Sequence, residues 1–278
     1  MLRRFRGRID EAGDLHAGGR VLQVEPHGAV VVDENERIVT KTYFGDGSAT
    51  LLEVAATEFK RQDEFWRSLQ SNDVISCPRP LELIDRPCPQ IRMEFAHGRP
   101  ISTHLRDVEL SRAELEWLAE VLVAALASYV RGTNEPYYDF HLRNMLYNPT
   151  DRVVSFVDFG IPKRLEHSLH ELSDLSPFEI SLGNLVAGAL FESARPRSFY
   201  RLRQHRQALR LCSALLERSL DVDPGGVDLE KVRQAADVAY RASVYWGSAV
   251  RQVWFRLLGR LLARRFVLRG VRFGPVGT

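Results

Sequence analysis

The sequence predicts an α+β fold in two lobes: a small antiparallel sheet carrying one helix, then a mainly helical part. Three observations predict it. Short β-branched runs recur at hairpin spacing between residues 20 and 43. One amphipathic helical pattern follows, from Leu51 to Leu69. Beyond Ser111, helical periodicity dominates, and 172–278 reads as mostly helix.

The elements follow in order. Arg20 to Glu25 alternates, and Pro26-His27-Gly28 makes a turn. Ala29 to Asp33 is a β-branched run, Glu34 to Glu36 a polar turn, and Ile38 to Tyr43 a third strand. In the helix, Leu52, Ala55, Phe59, Trp66 and Leu69 recur at helical offsets, and Ser71-Asn72-Asp73 stops it. Cys77-Pro78-Arg79-Pro80 forces extended backbone, and Leu81 to Ile84 and Ile91 to Phe95 supply two further strands. Ala96-His97-Gly98-Arg99-Pro100 reads as a linker, which places an N-lobe at 1–96 and a helical C-lobe at 97–278. Ser111-Arg112-Ala113-Glu114 is a capping box, Leu115, Leu118, Leu122, Ala125 and Tyr129 share one helix face, and Gly132 should end the helix. Strand-like pieces follow near Tyr137 and at Val153 to Val157. Arg195-Pro196-Arg197 and Pro224-Gly225-Gly226 should interrupt the helices of the last part.

Composition excludes several classes. The 278 residues are 45% hydrophobic and 27% charged, as in a soluble globular chain, and Lys plus Arg exceeds Asp plus Glu by 38 to 36. So small an excess predicts no nucleic-acid partner. Cys77, Cys88 and Cys212 fit neither a zinc site nor a disulfide framework, which favours a reducing compartment. The longest apolar stretch, Leu118 to Val130, is interrupted by Glu120 and Ser128, and the basic start, Met1 to Arg8, leads into no apolar core of a secretory signal. The expected location is cytoplasmic.

The chemistry concentrates in two stretches. Tyr137-Tyr138-Asp139-Phe140-His141-Leu142-Arg143-Asn144 contains D-x-x-x-x-N, and Phe156-Val157-Asp158-Phe159-Gly160 places D-F-G at the end of an apolar strand. Phosphoryl transfer needs an acceptor for the attacking hydroxyl's proton and hard oxygen ligands for magnesium. Asp139 can serve as the first, and Asn144 and Asp158 as the second. A hairpin from Asn144 to Asp158 would bring both ligands to one mouth.

With these motifs the chain resembles the protein-kinase-like superfamily, closest to its aminoglycoside-phosphotransferase and bacterial lipopolysaccharide-kinase branches, whose catalytic loop reads roughly H-G-D-x-H-x-x-N. The resemblance covers roughly residues 20 to 190 and implies a two-lobed kinase-like fold that uses ATP and magnesium. It implies that Asp139 orients the acceptor hydroxyl, His141 buttresses the loop, and Asn144 and Asp158 hold the metal. Lys41, in the third strand, would hold the α and β phosphates and pair with a helix glutamate. Glu58 is the expected partner and Glu53 the alternative. Ile91-Arg92-Met93-Glu94-Phe95-Ala96-His97-Gly98 resembles the hinge, where the backbone of Glu94 and Ala96 would bind adenine.

The chain also departs from that pattern. Tyr137-Tyr138 replaces the leading His-Gly. The turn Glu25-Pro26-His27-Gly28-Ala29 keeps one glycine where protein kinases have three. No A-P-E follows the D-F-G, and Ile161-Pro162-Lys163-Arg164 comes directly after it. The poor nucleotide loop and the short segment after the D-F-G favour a small-molecule, sugar or lipid-linked glycan acceptor over a protein, while Tyr137-Tyr138 and the same loop keep a non-catalytic reading open. The alternatives are a protein kinase and a pseudokinase that binds nucleotide or a partner without turnover.

Arg251 to Arg272 holds seven arginines and no acidic residue. As a helix, Trp254, Leu257, Leu258, Leu261 and Leu262 share one face, with Arg256 and Arg260 opposite. That pattern suits either a helix packed on the C-lobe or an anionic membrane surface, the latter implying peripheral attachment to the inner face of the membrane.

Overall fold

The computed structural model describes residues 20–25, 28–45, 48–85, 88–166, 168–194, 202–222 and 226–245. The protein has a two-lobed α+β fold, as the sequence predicts. Its first part is a five-stranded antiparallel sheet, built from β1 (Arg20–Glu25), β2 (Gly28–Asp33), β3 (Ile38–Tyr43), β5 (Pro80–Ile84) and β6 (Gln90–Glu94) in the order β1-β2-β3-β6-β5. Helix α1 (Ser48–Ser68) lies between β3 and β5 in sequence. Strand periodicity puts Val39, Lys41 and Tyr43 on one face of β3. Tyr43, Ile91 and Met93 pack with Ala55 of α1, and Val39, Leu51, Phe59 and Leu83 surround them. The sheet therefore turns its Lys41 face toward α1.

The second part is mainly helical. α2 (Ile101–Asp107), α3 (Arg112–Thr133), α4 (Lys163–Glu166), α5 (Pro177–Ala194), α6 (Leu202–Val222) and α7 (Leu229–Tyr245) surround one large core with a 3-10 turn at Leu169–Leu172. A smaller sheet, in the order β4-β9-β8-β7, is formed by β4 (Ile75–Ser76), β7 (Arg99–Pro100), β8 (Met145–Asn148) and β9 (Val153–Phe156). Two of its strands come from stretches without strand periodicity. Arg99–Pro100, at the end of the expected linker, pairs antiparallel with β8, and Ile75–Ser76 pairs parallel with β9. Residues this short pair because neighbours already fix their backbone; Asn72 Oδ1, for example, accepts from the amides of Val74 and Ile75.

Several expected details differ. The first strand after α3 is Met145–Asn148, while Tyr137 sits in irregular backbone. Gly132 lies inside the last turn of α3, and Asn134 caps that helix in the left-handed conformation, its amide bonding the Val130 carbonyl. Gly132 faces α1, where a Cβ would meet Ser68 Cβ at 3.4 Å, an ordinary contact. The capping box is half formed. Ser111 Oγ accepts from the Glu114 amide at 3.1 Å, but the Glu114 carboxylate accepts from Tyr147 Oη at 2.9 Å rather than reaching back. The expected breaks at Arg195-Pro196-Arg197 and Pro224-Gly225, and the arginine-rich segment 251–272, lie outside the described residues.

No described helix is long and apolar enough to cross a membrane.

Candidate active site

The site begins at β3. Lys41 Nζ donates to Glu58 Oε1 at 2.7 Å, to Glu58 Oε2 at 2.9 Å and to Asp158 Oδ1 at 2.7 Å. The three residues come from β3, from the sheet-facing side of α1 and from the turn after β9. Glu58 sits among the buried residues of that side, near Ala55 and Gln62, and is 2% exposed, whereas Glu53 is exposed. The pairing therefore falls to Glu58. Exposure rises across the trio, from 2% for the Glu58 side chain through 21% for Lys41 to 41% for Asp158. The outer carboxylate is the one a ligand can reach.

Electrostatics follow this geometry. Burial works against charge on Lys41, but Asp158 and Glu58 outweigh it and hold the ammonium well above the ordinary lysine range. Burial pushes the Glu58 carboxyl upward, and Lys41 pulls it back. Tyr43 also joins the cluster, donating its hydroxyl to Glu58 Oε2 at 2.5 Å. The sequence reading missed Tyr43. Its signal was its position, two residues after Lys41 and on the same strand face.

The second group is the loop 137–144. Asn144 Nδ2 donates to Asp139 Oδ2 at 2.8 Å and to the Asp139 carbonyl at 3.2 Å. This aims the amide nitrogen at Asp139 and turns Asn144 Oδ1 away as an acceptor. His141 Nε2 lies 3.4 Å from Asp139 Oδ1, and its Nδ1 accepts from the Arg143 amide. Helix α5 presses on this loop: a Cβ on Gly188 would come within 2.8 Å of His141 Cβ. Arg143 Nε in turn bonds the buried Glu192 of α5 at 2.8 Å.

A hairpin joins the two groups. β8 and β9 pair with Met145 opposite Phe156, and the Val157 amide donates to the Asn144 carbonyl at 2.9 Å. Asn144 thus stands across from Val157, one residue before Asp158. Tyr137 ties the loop to the same place, its hydroxyl donating to the Val157 carbonyl at 2.7 Å. Its ring stacks on Phe159 at 5.0 Å between centroids and on Tyr129 at 4.9 Å. Support for the loop therefore comes from a tyrosine at the position where the resembled branches carry histidine. Asp158 itself adopts φ 67°, a left-handed backbone that costs a non-glycine residue about 1–2 kcal/mol. The anchors on both sides hold it there.

At the expected hinge, the Glu94 amide donates to the Arg79 carbonyl and the Phe95 amide to the Arg37 carbonyl. These bonds occupy the amides of Glu94 and Phe95, and Ala96 follows in irregular backbone. Among the described residues, no group of three or more His, Cys, Asp or Glu side chains is placed to hold a metal.

Among solved structures, the chain is similar to the kinase domain of PknI from Mycobacterium tuberculosis, at 18% identity over 81% of this chain and 96% of that one, with a TM-score of 0.44. It is also similar to the kinase PK-1 of Cydia pomonella granulovirus, at 13% identity over 84% and 97%, with a TM-score of 0.46. No family model and no curated protein matches the sequence.

Proposed function

We propose that this protein is an ATP-dependent phosphotransferase acting on a hydroxyl of a small molecule, sugar or lipid-linked glycan. The observation that carries the proposal is the Lys41–Glu58–Asp158 trio. A buried carboxylate holds a lysine whose outer carboxylate partner is half open, and the pairs span 17 and 117 residues of sequence. Lys41 would bind phosphate oxygens, with Glu58 fixing its direction. Asn144 and Asp158 would hold magnesium, which neutralises charge on the phosphates when bound. Asp139, steered by Asn144 and His141, would orient the acceptor hydroxyl and take its proton. The carbonyl of Glu94 and the backbone of Ala96 would take the adenine.

Two features favour a small acceptor. The loop keeps Asp139, His141 and Asn144 at the spacing of the aminoglycoside-phosphotransferase and lipopolysaccharide-kinase branches. After Gly160 the chain enters α4 at once, and Leu165 and Leu172 are buried in the cores, so this segment packs down rather than presenting a long docking surface. The arginines of 251–272 would add attraction for an anionic acceptor or membrane surface.

The test is an acceptor screen with ATP labelled separately at the α and γ phosphates. Transfer of γ label to a glycolipid or sugar fraction is the expected result. Label in protein alone would establish the protein-kinase alternative, α label would make the reaction nucleotidyl transfer, and binding without any transfer would leave a pseudokinase.

A further inference from the structure

We infer that the Tyr43 hydroxyl is a positioning group that keeps Glu58 in place while Lys41 exchanges its bonds to Asp158 and to Glu58 Oε2 for a nucleotide's phosphates and keeps its bond to Glu58 Oε1. This inference rests on the phosphotransferase proposal above.

Tyr43 ends β3, two residues after Lys41, so both side chains lie on the face toward α1. Tyr43 is 7% exposed, and its ring is wedged among Ala55, Ile91 and Met93. The rotamer that delivers the hydroxyl to Glu58 Oε2 at 2.5 Å is therefore fixed by packing. Lys41 Nζ sits 5.4 Å from the centroid of the same ring. On its other side the carboxylate is closed by the turn after β9, where a Cβ on Gly160 would lie 2.9 Å from Glu58 Oε2.

An ammonium has three N–H donors, and Lys41 makes three bonds to carboxylate oxygens. Reaching the α and β phosphates together means giving up two of them, the bond to Asp158 and one of the two to Glu58. Asp158 can exchange its bond for solvent or a cation, because it is half open. Glu58 cannot, because it is sealed from water. A buried acceptor stripped of its donor costs about 5- to 100-fold in an equilibrium. The Tyr43 hydroxyl removes that cost at Oε2: when Lys41 holds Oε1 alone, Oε2 keeps a donor and the carboxylate keeps its orientation. Burial, then Glu58 beside it, raises the phenol well above its ordinary pKa, so it remains a donor at neutral and mildly alkaline pH.

The experiment measures binding of a magnesium complex of a non-hydrolysable ATP analogue by calorimetry, in the full chain and in Tyr43→Phe, Lys41→Met and the double variant. Tyr43→Phe is expected to weaken binding about fivefold or more. In the Lys41→Met background the same change is expected to alter affinity less than twofold, because there is no lysine to release. Equal affinity in Tyr43→Phe and the unmodified protein overturns the inference. So does an equal loss in both backgrounds, which would mark Tyr43 as structural packing only. No binding by the unmodified protein sinks the phosphotransferase proposal and this inference together; the first two results sink the inference alone.

Discussion

The two groups of the candidate site are held by different forces. On the sheet side, Lys41, Glu58 and Tyr43, with Asp158 reaching Lys41 from the turn after β9, are fixed by charge and by hydrogen bonds to charged groups. On the helical side, the loop with Asp139 rests on rings. Tyr137 stacks on Phe159 and Tyr129, Phe140 stacks on Phe156, and Phe65 of α1 meets Tyr129, Phe156 and Phe159. Each such pair adds about 0.5–1.5 kcal/mol beyond burial. Charge can be redistributed when a ligand arrives, since an ion pair exchanges partners without leaving a void. Stacked rings cannot move without opening one. The sheet side is therefore suited to exchange contacts with a ligand, and the helical side to stay still.

Breaking the aromatic side should show first in stability. Phe65→Ala removes a ring that is 0% exposed and touches three others, and should cost about 3–5 kcal/mol. The urea midpoint reports it, and a loss under 1 kcal/mol would mean the stack is not the support described. Asp139→Asn should instead leave the midpoint nearly unchanged and reduce turnover on a true acceptor by about 100-fold or more, with magnesium-nucleotide binding retained. Turnover equal to the unmodified protein would remove Asp139 from its role.

Two stacked tyrosines sharpen the comparison. The Tyr137 hydroxyl bonds the Val157 carbonyl, whereas the buried Tyr129 hydroxyl meets no hydrogen-bond partner among the described residues. Tyr137→Phe strands a backbone acceptor and should cost about 1–3 kcal/mol; Tyr129→Phe should be neutral or slightly stabilising. Thermal melts of the pair check this; matching losses would mean that the Tyr129 hydroxyl is held as firmly as that of Tyr137, and no loss in either that ring packing alone matters.

The smallest effect concerns protonation on the sheet side. The pKa of Lys41 is raised in the fold, so its contribution to stability is fully present below the unfolded lysine pKa of about 10.4 and fades only as pH climbs through the higher folded value. At pH 10 an amine-selective acylating reagent should therefore modify Lys41 far more slowly than Lys60, whose side chain is 70% exposed. Mass spectrometry of the digested protein reads the ratio. Comparable rates would mean that the ion pairs do not hold the proton.

Much of the fold was legible because local rules suffice for it. β-Branched alternation marked β1, β2 and β3, and helical spacing marked α1 and α3. Glu58 could be preferred to Glu53 because it stands one turn before Gln62 on the helix. Lys41 was marked by its place in the third strand, where the resemblance puts a lysine. The order of Asp139, Asn144 and Asp158 gave their proximity once a hairpin was granted between them.

What the sequence determined by itself was therefore the set of elements and the residue types that chemistry needs, since periodicity and motif spacing are properties of neighbouring residues. Tertiary structure decided what depends on partners distant in the chain. It recruited Ile75–Ser76 and Arg99–Pro100 as strands, took the Glu114 carboxylate from its capping box for Tyr147, and set the Tyr137 phenol on the Val157 carbonyl. It also brought Tyr43 to Glu58. Each of these rests on a hydrogen bond or a packing contact between separate elements, and such a contact exists only after the chain has folded.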